Sequence, residues 1–232
     1  MSARNAKPSA AAAGSLPVAR HPLARLALFA LAGLVAGDLP AWLHGAPTSW
    51  VWSAFSALAC ALAAALARRW PRCHGGDMAM LVCMAAVSAG MVLDFMRVPP
   101  ASLLSLCSSV AGMGVPALLV HVRWFPLTML AMLLLICVPY RPRAQREQRS
   151  VALSAAVLGM LVAFPCMLLV MALWMNAGKA IAAMLGWPWT ANGMVSLMLT
   201  GMLAYAWLRA AVATRLLGRW QPAPAAQSSV RR

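Results

Sequence analysis

Long apolar runs separated by short loops are the feature that most constrains this chain. Seven such runs follow one another, at about residues 23–43, 51–67, 78–96, 101–120, 125–139, 151–174 and 193–212. A helix needs about 20 apolar residues to cross a hydrocarbon core about 30 Å thick. Helices and closed barrels are the structures that satisfy every backbone polar group in that environment. The pattern therefore predicts an all-α, polytopic transmembrane bundle.

Composition and charge agree with the membrane class. Hydrophobic residues make up 63% of the chain and charged residues only 10%, against about 25% in soluble domains. The net charge is +15, carried by arginines in loops and in basic tails at residues 1–22 and 214–232. Because such arginines flank apolar runs, we expect them to contact anionic lipid headgroups, and possible protein partners, rather than nucleic acid.

The same features predict a location. The excess of Arg over Lys and the many alanines are typical of a high-GC bacterial genome, so we expect a multi-pass protein of the bacterial inner membrane. The first tail has no hydrophobic period and is expected to be disordered and cytoplasmic. A cleaved signal peptide over residues 26–37 is the alternative interpretation of the first run. The apolar run continues to Leu43, however, which favours a retained span.

The basic loops conflict with seven complete spans. Residues 68–72 contain three arginines, which indicates the cytoplasmic side. With seven spans and a cytoplasmic N-terminus, the arginine-rich loop at residues 140–150 and the C-terminal tail would both lie outside. Six spans plus one re-entrant or partial segment remove this conflict. Residues 101–120 are the first candidate for that segment, because a Gly-Met-Gly-Val-Pro sequence interrupts them; residues 125–139 are the second, because they are short. Seven spans remain the alternative.

Three charged or titratable residues stand near the interrupted segment. Asp94 and Arg97 are three residues apart at the end of the third run, and His121 ends the fourth. An acid inside a membrane is costly unless it is paired or functional. The Asp94–Arg97 spacing is compatible with a local ion pair at the headgroups. The functional hypothesis is an ion or proton site formed by Asp94 and His121, which requires the six-span topology.

Methionine is the other unusual signal. The chain has 17 methionines, and five pairs have the spacing M-x-x-x-M where random placement gives about one. This spacing puts both thioethers on one helix face, and soft thioethers prefer Cu(I) and similar ions. The spacing resembles that of eukaryotic copper channels, which are three-span proteins. Helix packing is the alternative explanation. The candidate metal ligands in the last two spans are Met167, Met171, Met175, Met194, Met198 and Met202.

No catalytic motif accompanies these residues. The sequence contains no H-E-x-x-H, G-x-S-x-G or P-loop pattern. Its six cysteines form no C-x-x-C pair, so neither a disulfide framework nor a zinc site is indicated. We therefore expect transport or handling of a small ion or soft metal, with copper as the candidate. A non-catalytic membrane subunit or scaffold is the second hypothesis, and a membrane enzyme acting on lipid is the third.

Overall fold

All regular secondary structure in the described part of the chain is helical. The structure is a computed structural model that describes residues 21–69, 77–109, 119, 122–137 and 149–218. Apart from residues 119 and 122–124, which are also helical, the helices in these ranges are α1 (Pro22–Leu43), α2 (Trp50–Arg69), α3 (Asp77–Arg97), α4 (Pro100–Ser109), α5 (Pro126–Cys137), α6 (Arg149–Met184) and α7 (Ala191–Gly218).

Five of these helices contain segments long and apolar enough to cross a membrane. They are Pro22–Leu43, Trp50–Ala67, Met80–Arg97, Leu161–Met184 and Ala191–Arg209. Many large apolar side chains on them are exposed, as expected of surfaces that face lipid. The predicted membrane helical bundle is confirmed at this level. The described part of α5 has 12 residues, which is short for a span.

The described helix bounds follow the apolar runs, with one difference at the end of α6. Helices α1, α2 and α3 match their runs to within two residues. The described part of α4 covers the first half of the run at 101–120, and residues 110–118, which contain the predicted Gly–Pro interruption, lie outside the described residues. Helix α6 continues ten residues beyond the predicted end at Trp174, because the sequence that follows is rich in the strong helix former Ala. The connection to α7 is therefore only residues 185–190.

Helix α1 packs against both α2 and α3, and the three helices alternate in direction. Gly33 of α1 allows close contact with α2, because a Cβ there would lie 2.7 Å from both Cys60 Cβ and the carbonyl oxygen of Ser56. At one end of the bundle, Arg25 of α1 forms a two-pronged ion pair with Asp77 at the start of α3, with the shortest contact at 2.6 Å. We name this the Arg25 end.

The opposite end of the bundle is defined by the C-terminal ends of α1 and α3. His44, directly after α1, donates from Nε2 to the carbonyl oxygen of Val92 over 3.1 Å, and its ring lies edge-on to Phe95. Helix α1 is therefore parallel to α3. Helix α7 begins at this same end, because Asn192 bonds to Asp38 of α1. We name it the Asn192 end.

Helix α7 is the central helix of the bundle. Every residue from Ala191 to Thr200 is buried, and α7 contacts α1, α2, α3, α4 and α6. Helix α6 is antiparallel to it: Trp174 bonds to Thr200 over 2.9 Å, and further along Tyr205 donates to the carbonyl oxygen of Ala163 over 2.9 Å. Helix α6 thus begins at the Arg25 end, where α7 finishes.

Helices α4 and α5 both start near the C-terminal end of α3. Helix α5 begins beside Asp94, and because α3 stops at Arg97, its extensive contact with α3 requires α5 to run back toward the Arg25 end. Helix α4 stays at the Asn192 end: Cys107 in its last turn contacts Met194 and Lys179. Lys179 lies near the end of α6 and Met194 near the start of α7, and both positions are at the Asn192 end.

Candidate functional site

Asn192 is the centre of a buried polar network at the Asn192 end. Its amide group is fully buried. The Nδ2 atom donates to Asp38 Oδ1 and to the Ser49 carbonyl oxygen, each over 2.9 Å, and to Ser53 Oγ over 3.3 Å. Its Oδ1 accepts from the Ser49 N–H over 3.1 Å and from Thr190 Oγ1 over 2.6 Å. One amide therefore connects α1, the α1–α2 loop, α2 and α7.

Asn192 begins a row of polar residues along α7. Ser196 and Thr200 follow at intervals of four, so the three residues share one helix face, and we name Asn192, Ser196 and Thr200 the polar row. Each is 0–3% exposed. Ser196 Oγ contacts the Trp52 carbonyl oxygen over 3.4 Å, and Thr200 Oγ1 accepts from Trp174 Nε1. The polar row thus fixes α7 against α2 and α6.

The candidate metal ligands form two methionine rows in the core. The α6 row is Met167, Met171 and Met175, and the α7 row is Met194, Met198 and Met202. All six side chains are between 0% and 6% exposed, and all belong to one hydrophobic cluster. The two helices are in contact there, since the Met171 backbone lies opposite Gly201. The structure therefore places the predicted thioethers inside the bundle instead of toward lipid.

More sulfur joins these rows from the other helices. Five further methionines from α3 and α5 belong to the same buried cluster: Met80, Met84, Met91, Met129 and Met132. Cys107 of α4 is 5% exposed, and its Sγ lies 3.7 Å from Met194 Sδ. The core of the bundle is thus rich in soft sulfur atoms. Among the described residues, no group of three or more His, Cys, Asp or Glu side chains could hold a metal ion.

Asp94 is a helix cap in this structure. Its side chain is fully buried, and it accepts from the Leu127 N–H over 3.1 Å and from the Thr128 N–H and hydroxyl over 2.9 and 2.7 Å. These backbone donors belong to the first turn of α5. The N–H groups of a first turn have no hydrogen-bond partner within the helix, and they form the positive end of the helix dipole. The contact is close because Gly90 of α3 has no Cβ, which would lie 2.7 Å from Thr128 Cα.

The other predicted site residues have different outcomes. The Asp94–Arg97 pair is present, with Arg97 NH1 3.9 Å from Asp94 Oδ1 and the Arg97 side chain 55% exposed. His121 lies outside the described residues, so its distance from Asp94 stays untested. Among the described residues, the hydrogen-bond and ion-pair partners of Asp94 come from α5 and from Arg97. None of these partners belongs to the α7 methionine row.

Sequence reasoning missed the polar row. Asn192, Ser196 and Thr200 have the same four-residue spacing as Met194, Met198 and Met202, and the two patterns are interleaved two positions apart. Two positions correspond to about 200° of helix rotation, so the rows lie on opposite faces. A polar residue at every fourth position inside an apolar run was the available signal, since such residues turn inward in a membrane helix.

Comparison with known proteins adds no relative. The chain matches no protein-family model, no curated protein and no solved structure. The residues and their geometry are therefore the basis for any functional conclusion.

Proposed function

We propose that this chain is an inner-membrane protein that binds soft monovalent metal ions in its core and moves them across the membrane, with Cu(I) as the substrate. The observation that supports this most directly is the burial of both methionine rows on two contacting helices. Thioethers are neutral, soft ligands that favour Cu(I) over the hard cations of the cell. Stacked along a helix, such weak ligands offer successive low-affinity sites instead of one site that binds the ion too tightly to release it.

The spacing of the rows suits stepwise movement. Four residues of α-helix rise about 6 Å, so Met194, Met198 and Met202 mark three levels of α7, beginning at the Asn192 end. The α6 row runs antiparallel beside it, with Met171 opposite Gly201. An ion leaving one thioether would therefore have other thioethers near the next level. Polar ligands are not required for this path, because the thioether itself replaces water around a soft ion.

We propose six spans, with α4 as a partial segment at the Asn192 end. Helix directions put the starts of α1, α3 and α6 and the ends of α2 and α7 at the Arg25 end. Arginine-rich sequence adjoins these positions, at residues 68–72, 140–149 and 209–219. This arrangement supports a cytoplasmic Arg25 end by the positive-inside rule, and α5 supplies the sixth crossing.

Topology mapping tests this arrangement directly. Single cysteines at Gln145 and in the C-terminal tail, in a chain whose own cysteines are replaced, are expected to resist a membrane-impermeant thiol reagent in intact cells. They should react after the cells are opened. A cysteine at Pro47, in the short loop after α1, is the control and should react in intact cells. Labelling of the first two positions in intact cells would contradict the six-span proposal.

Metal uptake tests the function. Cells expressing the protein should accumulate Ag(I), a redox-stable probe for Cu(I), faster than cells without it. Met198→Leu, fully buried in the α7 row, is expected to lower the rate by about tenfold by removing a soft ligand. Met184→Leu is the control, because Met184 is 85% exposed and should leave the rate unchanged. Equal rates in all cells would reject transport and favour a scaffold whose methionines only pack helices.

A further inference from the structure

Two sulfur atoms from different helices meet at the Asn192 end. Cys107 Sγ of α4 and Met194 Sδ of α7 are 3.7 Å apart, and their side chains are 5% and 0% exposed. The contact is an S–H···S hydrogen bond. Two sulfur ligands of a tetrahedral zinc ion, each at about 2.3 Å, are about 3.8 Å apart, so the separation of this pair is compatible with two ligands of one metal ion.

The pair lies at the head of the α7 methionine row. Met194 is the first member of that row, and Met198 and Met202 follow toward the Arg25 end. Cys107 adds a ligand of a different kind, because a thiol loses its proton on binding metal and a thioether has none to lose. A thiolate also neutralises a monovalent cation, which lowers the cost of holding the ion in an apolar core. This position should thus bind more tightly than the rows beyond it.

Lys179 supplies a second feature of the pair. Its ammonium group donates to the Cys107 carbonyl oxygen, close to the last described residue of α4. Burial raises the pKa of the Cys107 thiol to about 11, and the charge of Lys179 opposes part of that rise, so the metal ion has to displace the thiol proton when it binds. The same ammonium group holds α4 against α6, and this contact fixes Cys107 next to Met194.

We propose that Cys107 and Met194 form the site at which a soft monovalent cation first binds on its way into the methionine rows. This inference rests on the proposed function. Binding replaces the Cys107 S–H bond with a sulfur–metal bond, and the proton goes to water at the Asn192 end. Nothing is oxidised or reduced, and Met194 adds a lone pair without further change. One ion therefore releases one proton here, whereas an ion held by thioethers alone releases none.

The test uses the purified full-length protein in detergent and Ag(I) or Cu(I) supplied with a competing chelator. The first ion bound by the unsubstituted protein should release one proton, and its X-ray absorption spectrum should show sulfur neighbours in the first coordination shell of the metal. Cys107→Ser is expected to abolish the proton release and weaken binding of the first ion by at least about tenfold. Met194→Leu should keep the proton and remove one sulfur neighbour. Cys166→Ser, at an exposed cysteine, is the control.

The outcomes separate this site from transport. Loss of Ag(I) uptake in Met198→Leu together with unchanged first-ion binding in Cys107→Ser would overturn the site and leave transport standing. No uptake by any cells, with one proton released at Cys107 in the purified protein, would overturn transport and leave a metal site. A first ion that releases no proton from the unsubstituted protein would overturn the site even if Cys107→Ser fails to fold.

Discussion

The two faces of α7 carry the same four-residue repeat and use it differently. Asn192, Ser196 and Thr200 on one face bond to named atoms of the surrounding helices and loops at 2.6–3.4 Å. The α7 methionine row on the other face is equally buried. Of its members, only Met194 has a described polar contact, and this is with another sulfur.

The comparison shows that the two faces constrain the position of α7 to different degrees. Hydrogen bonds are directional, so the polar row fixes the rotation of α7 about its axis and its depth in the bundle. Thioether packing is adaptable, so the methionine row places weak demands on geometry. The α7 methionine row lies on the opposite face, which is also buried because α7 is the central helix. The position of α7 is therefore constrained more strongly by the polar row than by the methionine row.

The largest effect is expected for Asn192→Leu. This change removes five hydrogen bonds and leaves the buried Ser49 N–H without its acceptor. We expect the free energy of unfolding to fall by about 3 kcal/mol, measured by denaturation in mixed micelles. Ser53→Ala removes two long bonds of 3.3 Å, one accepted from Asn192 and one donated to the Ser49 carbonyl oxygen, and is the control, with a loss below about 1 kcal/mol. Equal losses would show that Asn192 does not organise the network.

Asp94→Asn extends the comparison to the buried carboxylate of α3. The two oxygens of Asp94 accept from the Leu127 and Thr128 N–H groups of α5. An Asn side chain has only one acceptor oxygen, and its NH2 group would face one of these N–H donors. We expect a loss of about 2 kcal/mol in the same assay. Asp38→Asn is the matched control, because Asp38 accepts one described bond, from Asn192, and an amide oxygen can still accept it. Ag(I) uptake lost in Asp94→Asn without a loss of stability would restore Asp94 as an ion site.

The span positions could be predicted from the sequence, but the environment of each polar residue could not. Length and hydropathy fix where a helix crosses, and α1 to α3 match their runs closely. The role of Asp94 depends on residues 33 and 34 positions away, and that of Asn192 on residues up to 154 away. No local pattern records which helix N-terminus lies beside a carboxylate. The burial of the α7 methionine row follows from the central position of α7 in the bundle, which no local pattern records.

A smaller effect is expected for Thr200→Val, which keeps the side-chain shape and removes the acceptor of Trp174 Nε1. Single hydrogen bonds between membrane helices contribute about 0.6 kcal/mol on average, and we expect a loss of about 1 kcal/mol, because the indole N–H loses its partner. Ser88→Ala is the control: the buried Ser88 Oγ has no hydrogen-bond partner among the described residues, so its removal should leave stability unchanged or higher. A loss in Ser88→Ala as large as in Thr200→Val would indicate packing as the cause.

The smallest effect on stability is expected for Met198→Leu, the substitution that should slow metal uptake by about tenfold. Leu and Met have similar volumes, and such exchanges in a core change the free energy of unfolding by less than about 1.5 kcal/mol. Leu199→Met is the reverse exchange at the next position of α7, where the side chain is 1% exposed, and it should be equally mild and leave Ag(I) uptake intact. If Met198→Leu instead destabilises the protein as much as Asn192→Leu, the methionine face is a packing surface that the fold requires. The loss of uptake would then follow from the loss of folded protein, and the difference between the two faces of α7 would disappear.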